Sequence, residues 1–295
     1  MMRVGEVGPA CALIRPLAAP ARRDPDHRAE MVTQWLCGEA VEVVGGDAAW
    51  ARCRGEDGYE GWIPASGLLL EGRAAAGADP TYDEWLDRWT REAAWSLGTP
   101  ISWPLGGTGY LPWGARVRAR ADRLGLPDGR QVLPEDRDAI VDASGLERRF
   151  PRDPEALVRT ARRWLGTPYL WGGRTNTGAD CSGFVQSVFR VHGVRLPRDN
   201  RDQGAEGHVA DDVEHILGES KPGDLVFFAP EGKGISHVAV STGGGGIIHC
   251  SAGRGEVTEE DLFPRSSLDA LQRLLRGSAV CATRPLEAGD EGSTR

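Results

Sequence analysis

The chain has 295 residues, 40% of them hydrophobic and 26% charged, with a formal net charge of −8; that is enough for two or three domains with real cores, in an ordinary globular composition. The acidic balance, with no basic block and no cluster of interleaved aromatic and basic residues, excludes the footprint of a nucleic-acid partner. No stretch approaches the roughly 18 apolar residues of a membrane span, and the start from Met1 to Gly8 has no apolar core of a signal, so the sequence predicts a soluble cytoplasmic protein without a membrane partner.

From residue 3 to about 70 the pattern is strand-like. Ala40-Val41-Glu42-Val43-Val44 alternates, Gly45-Gly46-Asp47 turns, Trp50 to Arg54 alternates again, and Gly55 to Gly58 turns before Tyr59-Glu60-Gly61-Trp62-Ile63. Short strands joined by Gly and Asp turns read as a small barrel, with Cys53 facing its core. The run from Gly38 to Pro64, chiefly through Gly61-Trp62-Ile63, resembles a bacterial SH3-like domain. Six cysteines (Cys11, Cys37, Cys53, Cys181, Cys250, Cys281) lack any CxxC pair. Neither a disulfide framework nor a zinc ribbon is indicated, and all but Cys181 are expected to be reduced and structural.

Ala74 to Pro80 reads as a linker. Tyr82 to Leu97 places Trp85, Leu86, Trp89 and Ala93 at helical spacing, after which Ile101–Leu105, Gly114–Arg118 and Gln131–Pro134 return to short strands with Gly and Pro turns. A second, degenerate SH3-like domain with a helical insertion fits this region. Trp85, Trp89, Trp95, Trp103 and Trp113 could line a carbohydrate platform, although such a density of tryptophan more often packs a core.

Asp153 and Pro154 have the pattern of an N-cap and first helical residue, opening a helix whose apolar stripe is Ala156, Leu157, Thr160, Ala161 and Trp164. A Gly-, Thr- and Asn-rich loop follows, from Thr167 to Gly178. Cys181 to His192 then returns to helical spacing until Gly193 stops it. Cys181 therefore falls in the first turn, where unpaired backbone N–H groups and the helix dipole favour thiolate; a buried, inert cysteine is the alternative.

Beyond a loop from Val194 to Asn200 and a polar stretch carrying His208 and His215, three strands are predicted at Leu225–Ala229, Ile235–Ser241 and Gly246–Ser251. Gly243 to Gly246 between the last two reads as a hairpin turn, because no Lys-Ser or Lys-Thr helix follows to make a phosphate loop. The hairpin can place His237 and His249 on one sheet face, although either alone reads as a satisfied strand residue. A thiol nucleophile needs a base, and the base needs an orienting group; Cys181, His237 and His249 supply these roles. A metal site built from the same three residues lacks HExxH or CxxC spacing, and neither metal nor cofactor is expected. His192, His208 and His215 are expected to be structural or solvated.

Together these residues resemble the NlpC/P60 cysteine peptidases. The likeness runs from about Asp153 to Cys250 and includes Gly166-Thr167-Pro168-Tyr169, Trp171-Gly172-Gly173, Asp180-Cys181-Ser182-Gly183, Leu196-Pro197-Arg198-Asp199, Pro222-Gly223-Asp224-Leu225, Ser236-His237-Val238 and Ile248-His249. The resemblance implies an α+β chain: a papain-like NlpC/P60 catalytic domain (151–290, then a tail 291–295) preceded by two small SH3-like β-barrels (1–72 and 73–150).

It also implies hydrolysis of the bond between γ-D-Glu and an L-diamino acid in peptidoglycan stem peptides. Cys181 is the nucleophile, His237 the acid and base, and His249 its orienter. The Cys181 backbone N–H and the Tyr169 hydroxyl make the oxyanion hole, unless Tyr169 merely packs under the helix. With two SH3-like domains ahead, the chain looks like the cytoplasmic endopeptidases of the dipeptidyl-peptidase VI type, which recycle peptides bearing a free N-terminal L-Ala.

That likeness puts Asp180, Ser182 and Asp199 at the L-Ala-γ-D-Glu end. Glu39 and Tyr59 close over it, against readings of Glu39 as a solvated turn charge and Tyr59 as a barrel residue. Arg198 pairs with the substrate α-carboxylate or with a neighbouring Asp. Alternatives are a hydrolase of intact peptidoglycan and a non-catalytic binder of wall peptides. The expected partner is a small peptide; diamino-acid preference, leaving-peptide length and oligomeric state are open, and a monomer fits.

Overall fold

A computed structural model describes residues 10–70, 91–205, 208–209, 213–230, 233–263 and 267–286. The chain divides into two compact units, Met1–Leu146 and Glu147–Arg295. The linker expected at 74–80, Trp85, Trp89 and the tail 291–295 lie outside the described residues.

In the first unit, β1 (Ala10–Ile14), β2 (Ala18–Arg22), β3 (Met31–Leu36), β4 (Ala40–Gly46), β5 (Trp50–Gly55), β6 (Glu60–Pro64) and β7 (Leu68–Leu70) form one antiparallel sheet in the order β3-β2-β6-β5-β4-β1-β7. The two-residue period sorts the side chains: Ala51, Cys53 and Gly55 of β5 are buried while Arg52 and Arg54 face water. Outside, Arg54 bridges Glu42 at 2.9 Å and Glu60 at 2.7 Å across the ladder. Inside, Ile14, Trp35, Val41, Cys53 and Ile63 form the core.

A second sheet follows, with β8 (Ala94–Ser102), β9 (Thr108–Ala119), β10 (Leu124–Gly125), β11 (Gln131–Pro134) and β12 (Ile140–Val141) in the order β11-β10-β9-β8-β12. An additional β11–β8 pairing closes four of these strands into a ring. The helix expected over 82–97 does not reach its expected end: Ala94, Trp95 and Leu97 pair with Val117, Arg116 and Trp113 in the β8–β9 ladder. Cross-strand burial there overrides local helical spacing. Trp95 and Trp113 are buried and Trp103 lies under the Arg130 guanidinium at 5.0 Å, so these three pack rather than form a platform.

The two sheets share one seam. Leu36 and Cys37 enter the core of the second sheet, beside Ile101, Leu111 and Val117. Arg116, 1% exposed, grips Glu56 with both terminal nitrogens at 2.5 and 2.9 Å and lies 4.8 Å from the Trp95 ring centre. Gly38 has φ +73°, and a Cβ there would lie 2.1 Å from the Arg116 carbonyl oxygen, so only glycine fits the seam.

The division between units falls within α1 (Ala143–Arg149). In the second unit, α2 (Pro154–Arg162) starts as its sequence dictates, with the Asp153 carboxylate accepting from the Ala156 N–H at 2.8 Å. The 167–178 loop carries a small ribbon, β13 (Arg174–Thr175) and β14 (Gly178–Ala179), and leads into α3 (Cys181–Val191) and α4 (Asn200–Gln203). Then come β15 (His208–Val209), α5 (Val213–Glu219), β16 (Leu225–Phe228), β17 (His237–Gly243), β18 (Gly246–Ser251), β19 (Glu256–Asp261), α6 (Ala270–Arg276) and β20 (Ala279–Thr283).

The main sheet runs β15-β20-β16-β17-β18-β19, antiparallel throughout. α3 packs across β17 and β18, burying Phe184, Val185, Val188 and Phe189, with Trp164 edge-on to Phe184 at 5.8 Å. Positive φ at Gly243, Gly244 and Gly245 makes the β17–β18 connection the hairpin turn the glycine run indicates. Helix on antiparallel sheet brings the start of α3 to the middle strands of the sheet.

Candidate active site

The start of α3 is held by Asp180. Its Oδ1 accepts the Gly183 N–H at 2.7 Å, and its Oδ2 accepts the Gly172 N–H at 2.8 Å. Arg198, 2% exposed, closes a two-pronged ion pair on the same carboxylate at 2.6 and 3.1 Å. Both oxygens of Asp180 are thus engaged, and of the two partners open to Arg198, the neighbouring Asp is the one it holds. Gly183 is required here, since a Cβ would meet the Gly173 carbonyl oxygen at 2.1 Å. The Gly172-Gly173 loop and the Asp-Cys-Ser-Gly turn therefore pack backbone to backbone.

Ser182 Oγ accepts from Arg198 Nη1 at 2.8 Å and donates to Asp180 Oδ1 at 3.3 Å. Its one proton is spent on a long bond, so an anionic ligand can redirect it.

Cys181 is 7% exposed. Backbone N–H groups of Val238 and Ser182 point at its sulfur, and Asn200 Nδ2 lies 3.9 Å away. These donors favour thiolate, yet burial outweighs them and, with the Asp180 carboxylate adding to it, pushes the thiol up to about 11. The helix start favours thiolate as its sequence indicates, and desolvation in the closed site works against it.

His237 and His249 meet across the hairpin, His237 Nε2 to His249 Nδ1 at 2.7 Å. His237 is partly buried beside the Phe228 ring, 5.6 Å between centres, while His249 is sealed at 0% exposure. Burial first, and His249 second, bring the His237 imidazole down to about 3, so it is neutral in the working range and able to take a proton. Val238, whose N–H points at the Cys181 sulfur, is the next residue along β17, which brings the base and the nucleophile to one place.

Tyr169 is half-buried at the loop before α3, its N–H bonded to the Gly255 carbonyl at 2.7 Å. Burial, with Cys181 as the next contributor, raises its phenol, which stays a hydroxyl. Asp199 is half-buried at the N-cap of α4. In the first unit, Glu39 is 2% exposed at the β3–β4 turn, where its Oε2 accepts the Leu36 N–H at 2.8 Å; Tyr59 is half-buried just before β6. His192, expected to be structural, bonds Pro151 and Thr160 at 2.7 and 2.9 Å. Among the described residues no cluster of His, Cys, Asp and Glu is placed to hold a metal ion, and no helix is long and apolar enough to cross a membrane.

Two residues at this site were not singled out from the sequence. Asn200 follows Arg198-Asp199 and reaches the nucleophile. Glu260 accepts from His249 Nε2 at 3.0 Å. The signal for Glu260 was its place in β19: its strand mate Thr258 pairs with His249, so the two-residue alternation puts residue 260 on the histidine face.

Residues 166–275 match the NlpC/P60 family and residues 21–68 the bacterial dipeptidyl-peptidase Sh3 domain. The chain carries an NlpC/P60 cysteine peptidase domain behind an N-terminal bacterial SH3-like domain. It is 29% identical over 238 residues to a gamma-D-glutamyl-L-lysine dipeptidyl-peptidase of Bacillus cereus, spanning 75% of this chain and 67% of that one. A protein of the same name from Bacillus subtilis is 45% identical over 97 residues, 32% of this chain and 31% of its own length. A crystal structure of a Bacillus cereus NlpC/P60 family protein shares the fold, with a TM-score of 0.72 at 21% identity over 94% of this chain and all of the other.

Proposed function

We propose that this peptidase hydrolyses the γ-D-Glu–L-diamino acid bond of stem peptides that carry a free N-terminal L-Ala, in the turnover of released wall peptides. The observation that carries the reading is the placement of Cys181 beside Val238 with the His237–His249 hydrogen bond behind it. The names of the two Bacillus relatives support the choice of bond.

In this reading the Cys181 S–H proton passes to the free nitrogen of His237 as sulfur attacks the γ-carbonyl carbon. The oxyanion is held by the Cys181 backbone N–H and the Tyr169 hydroxyl. The His237 imidazolium then protonates the departing amine of the diamino acid, leaving a thioester to the γ-carboxyl of D-Glu. Water, deprotonated by His237, attacks the thioester, and the departing sulfur recovers its proton. The Ser182 hydroxyl proton turns to the α-carboxylate of D-Glu, and Asp199 receives the L-Ala ammonium. Asp180 and Arg198 hold Ser182 and the helix start in place.

Mass spectrometry of L-Ala-γ-D-Glu-diaminopimelate and its L-Lys counterpart after incubation tests the reading. The expected product is L-Ala-D-Glu, absent with Cys181→Ala. No cleavage by the wild type, undiminished cleavage by the variant, or cleavage of intact sacculi in preference to free peptides would overturn it.

A further inference from the structure

We infer that Glu260 is a positioning residue of this active site, the acceptor that sets the tautomer of both histidines in the order Glu260–His249–His237. The inference rests on the roles proposed above for Cys181 and His237 and extends them by one strand.

The three side chains step across adjacent strands of one sheet. The β17–β18 register pairs Val240 with Ile248, and continued one residue it sets Ala239 opposite His249, so His237 lies on the same face one diagonal away. On the other side Thr258 pairs with His249, and Glu260 is the next residue on that face. Each step is bridged by a hydrogen bond, 2.7 Å between the histidines and 3.0 Å from His249 to Glu260.

Hydrogen bookkeeping along this line has one solution for neutral rings. Glu260 is 7% exposed and already receives Arg254 Nε on Oε1 and Nη2 on Oε2, both at 2.9 Å. Burial works against its charge, but the bonds from His249 and Arg254 outweigh that and hold the carboxyl down at about 2. As a carboxylate it only accepts, so the His249 proton sits on Nε2. His249 Nδ1 is then a lone pair, and the 2.7 Å contact must be donated by His237 Nε2. The one nitrogen left to His237, Nδ1, is unprotonated and ready to take the thiol proton. When it does, imidazolium and thiolate form while His249 and Glu260 keep their own protonation; no proton crosses to the carboxylate.

The carboxylate is itself fixed. Arg254 reaches on to Asp269 at 2.6 Å, and Asp269 caps α6 through a reciprocal pair with Gln272, at 2.9 and 3.0 Å. A helix cap thus anchors the arginine fork, and the fork anchors the acceptor. A surface role for Glu260 would require neither the burial nor the second acceptor position that His249 fills.

The test compares full-length wild type, Glu260→Gln and Glu260→Ala in two readouts. Glutamine keeps a carbonyl oxygen for His249 Nε2–H, so the predicted kcat is within ~10-fold of wild type, whereas alanine loses ~100-fold in kcat with KM unchanged. In parallel, nitrogen-15 spectra of labelled histidine report protonation at Nε2 of both rings in wild type and Glu260→Gln. Glu260→Ala is predicted to show a mixture of tautomers. An alanine variant that keeps the wild-type kcat, or that keeps the Nε2–H signature of His249, overturns the inference. If alanine does not fold, a Glu260→Gln variant in which His249 carries its proton on Nδ1 does the same. The tautomer readout needs no substrate, so failure of the proposed peptide cleavage leaves the Glu260 result readable.

Discussion

Arg198 and Asp180 form a buried two-pronged ion pair, 2.6 and 3.1 Å, directly beneath the helix start that carries the nucleophile. The pair also anchors Ser182 at 2.8 Å, so one guanidinium fixes both neighbours of Cys181. Arg198→Met leaves the Asp180 charge buried without its partner and is predicted to lower unfolding free energy by about 3–5 kcal/mol in urea titrations. Arg198→Lys keeps the charge but cannot fork, and is predicted to fold while losing kcat. A methionine variant as stable as wild type would show that the pair does not hold the loop.

Burial pushes the Cys181 thiol up to about 11 and the His237 imidazole down to about 3, each toward its neutral form. Alkylation of Cys181 by iodoacetamide, followed peptide by peptide, is therefore predicted to rise by about tenfold per pH unit through the alkaline range toward 11. A preformed thiolate–imidazolium pair would instead give a rate that is flat from mildly acidic pH upward. The shape of that curve decides between the two resting states.

Much of the second unit could be read from residue order because its signals are local. Asp153-Pro154 and Asp180-Cys181 have cap chemistry, and the α3 stripe of Phe184, Val185, Val188 and Phe189 has the helical period that buries it. The His237–His249 contact follows from a glycine hairpin. The partner of Arg198 did not follow, since Asp180 and a substrate carboxylate offer the same chemistry to a guanidinium. Nor did the burial of Cys181: a sequence reveals a helix end, while desolvation depends on everything packed around it. Glu260 sits in Glu259-Glu260-Asp261, which reads as a solvated run; only the pairing of β19 with β18 turns its middle member inward. The stretch ending at Leu97 failed for the opposite reason, because pairing with β9 claimed residues whose local spacing was helical.

His237 and Glu260 make the second unit acid-sensitive in a defined direction. Both bind fewer protons folded than unfolded: His237 falls from 6.5 to about 3, and Glu260 from 4.5 to about 2. Stability therefore rises with pH across these windows. The His237 contribution is whole above 6.5 and is lost as pH falls toward 3; that of Glu260 is whole above 4.5 and is lost toward 2. For Glu260 the loss is on the order of 3 kcal/mol. Thermal scans between pH 7 and 4 are predicted to show a falling Tm for wild type and a shallower fall for His237→Gln. Equal slopes for the two would remove His237 as a cause.

Selection of a free N-terminus is the remaining expectation for the first unit, and it falls on Glu39 and Tyr59. A carboxylate that selects for an ammonium group discriminates by charge, so on that expectation Glu39→Gln is predicted to raise KM about tenfold for L-Ala-γ-D-Glu-L-Lys while changing little for the N-acetylated peptide. Tyr59→Ala, by opening space, is predicted to admit the N-acetylated peptide and narrow the ratio of kcat/KM between the two. Glu39 also receives the Leu36 N–H at 2.8 Å within its own turn, so a purely structural role is a real competitor. Glutamine retains an oxygen for that N–H and separates the roles. A Glu39→Gln enzyme with an unchanged ratio for free and blocked peptides, and an unchanged Tm, would assign Glu39 to the turn and leave the selection of free N-termini to residues of the second unit.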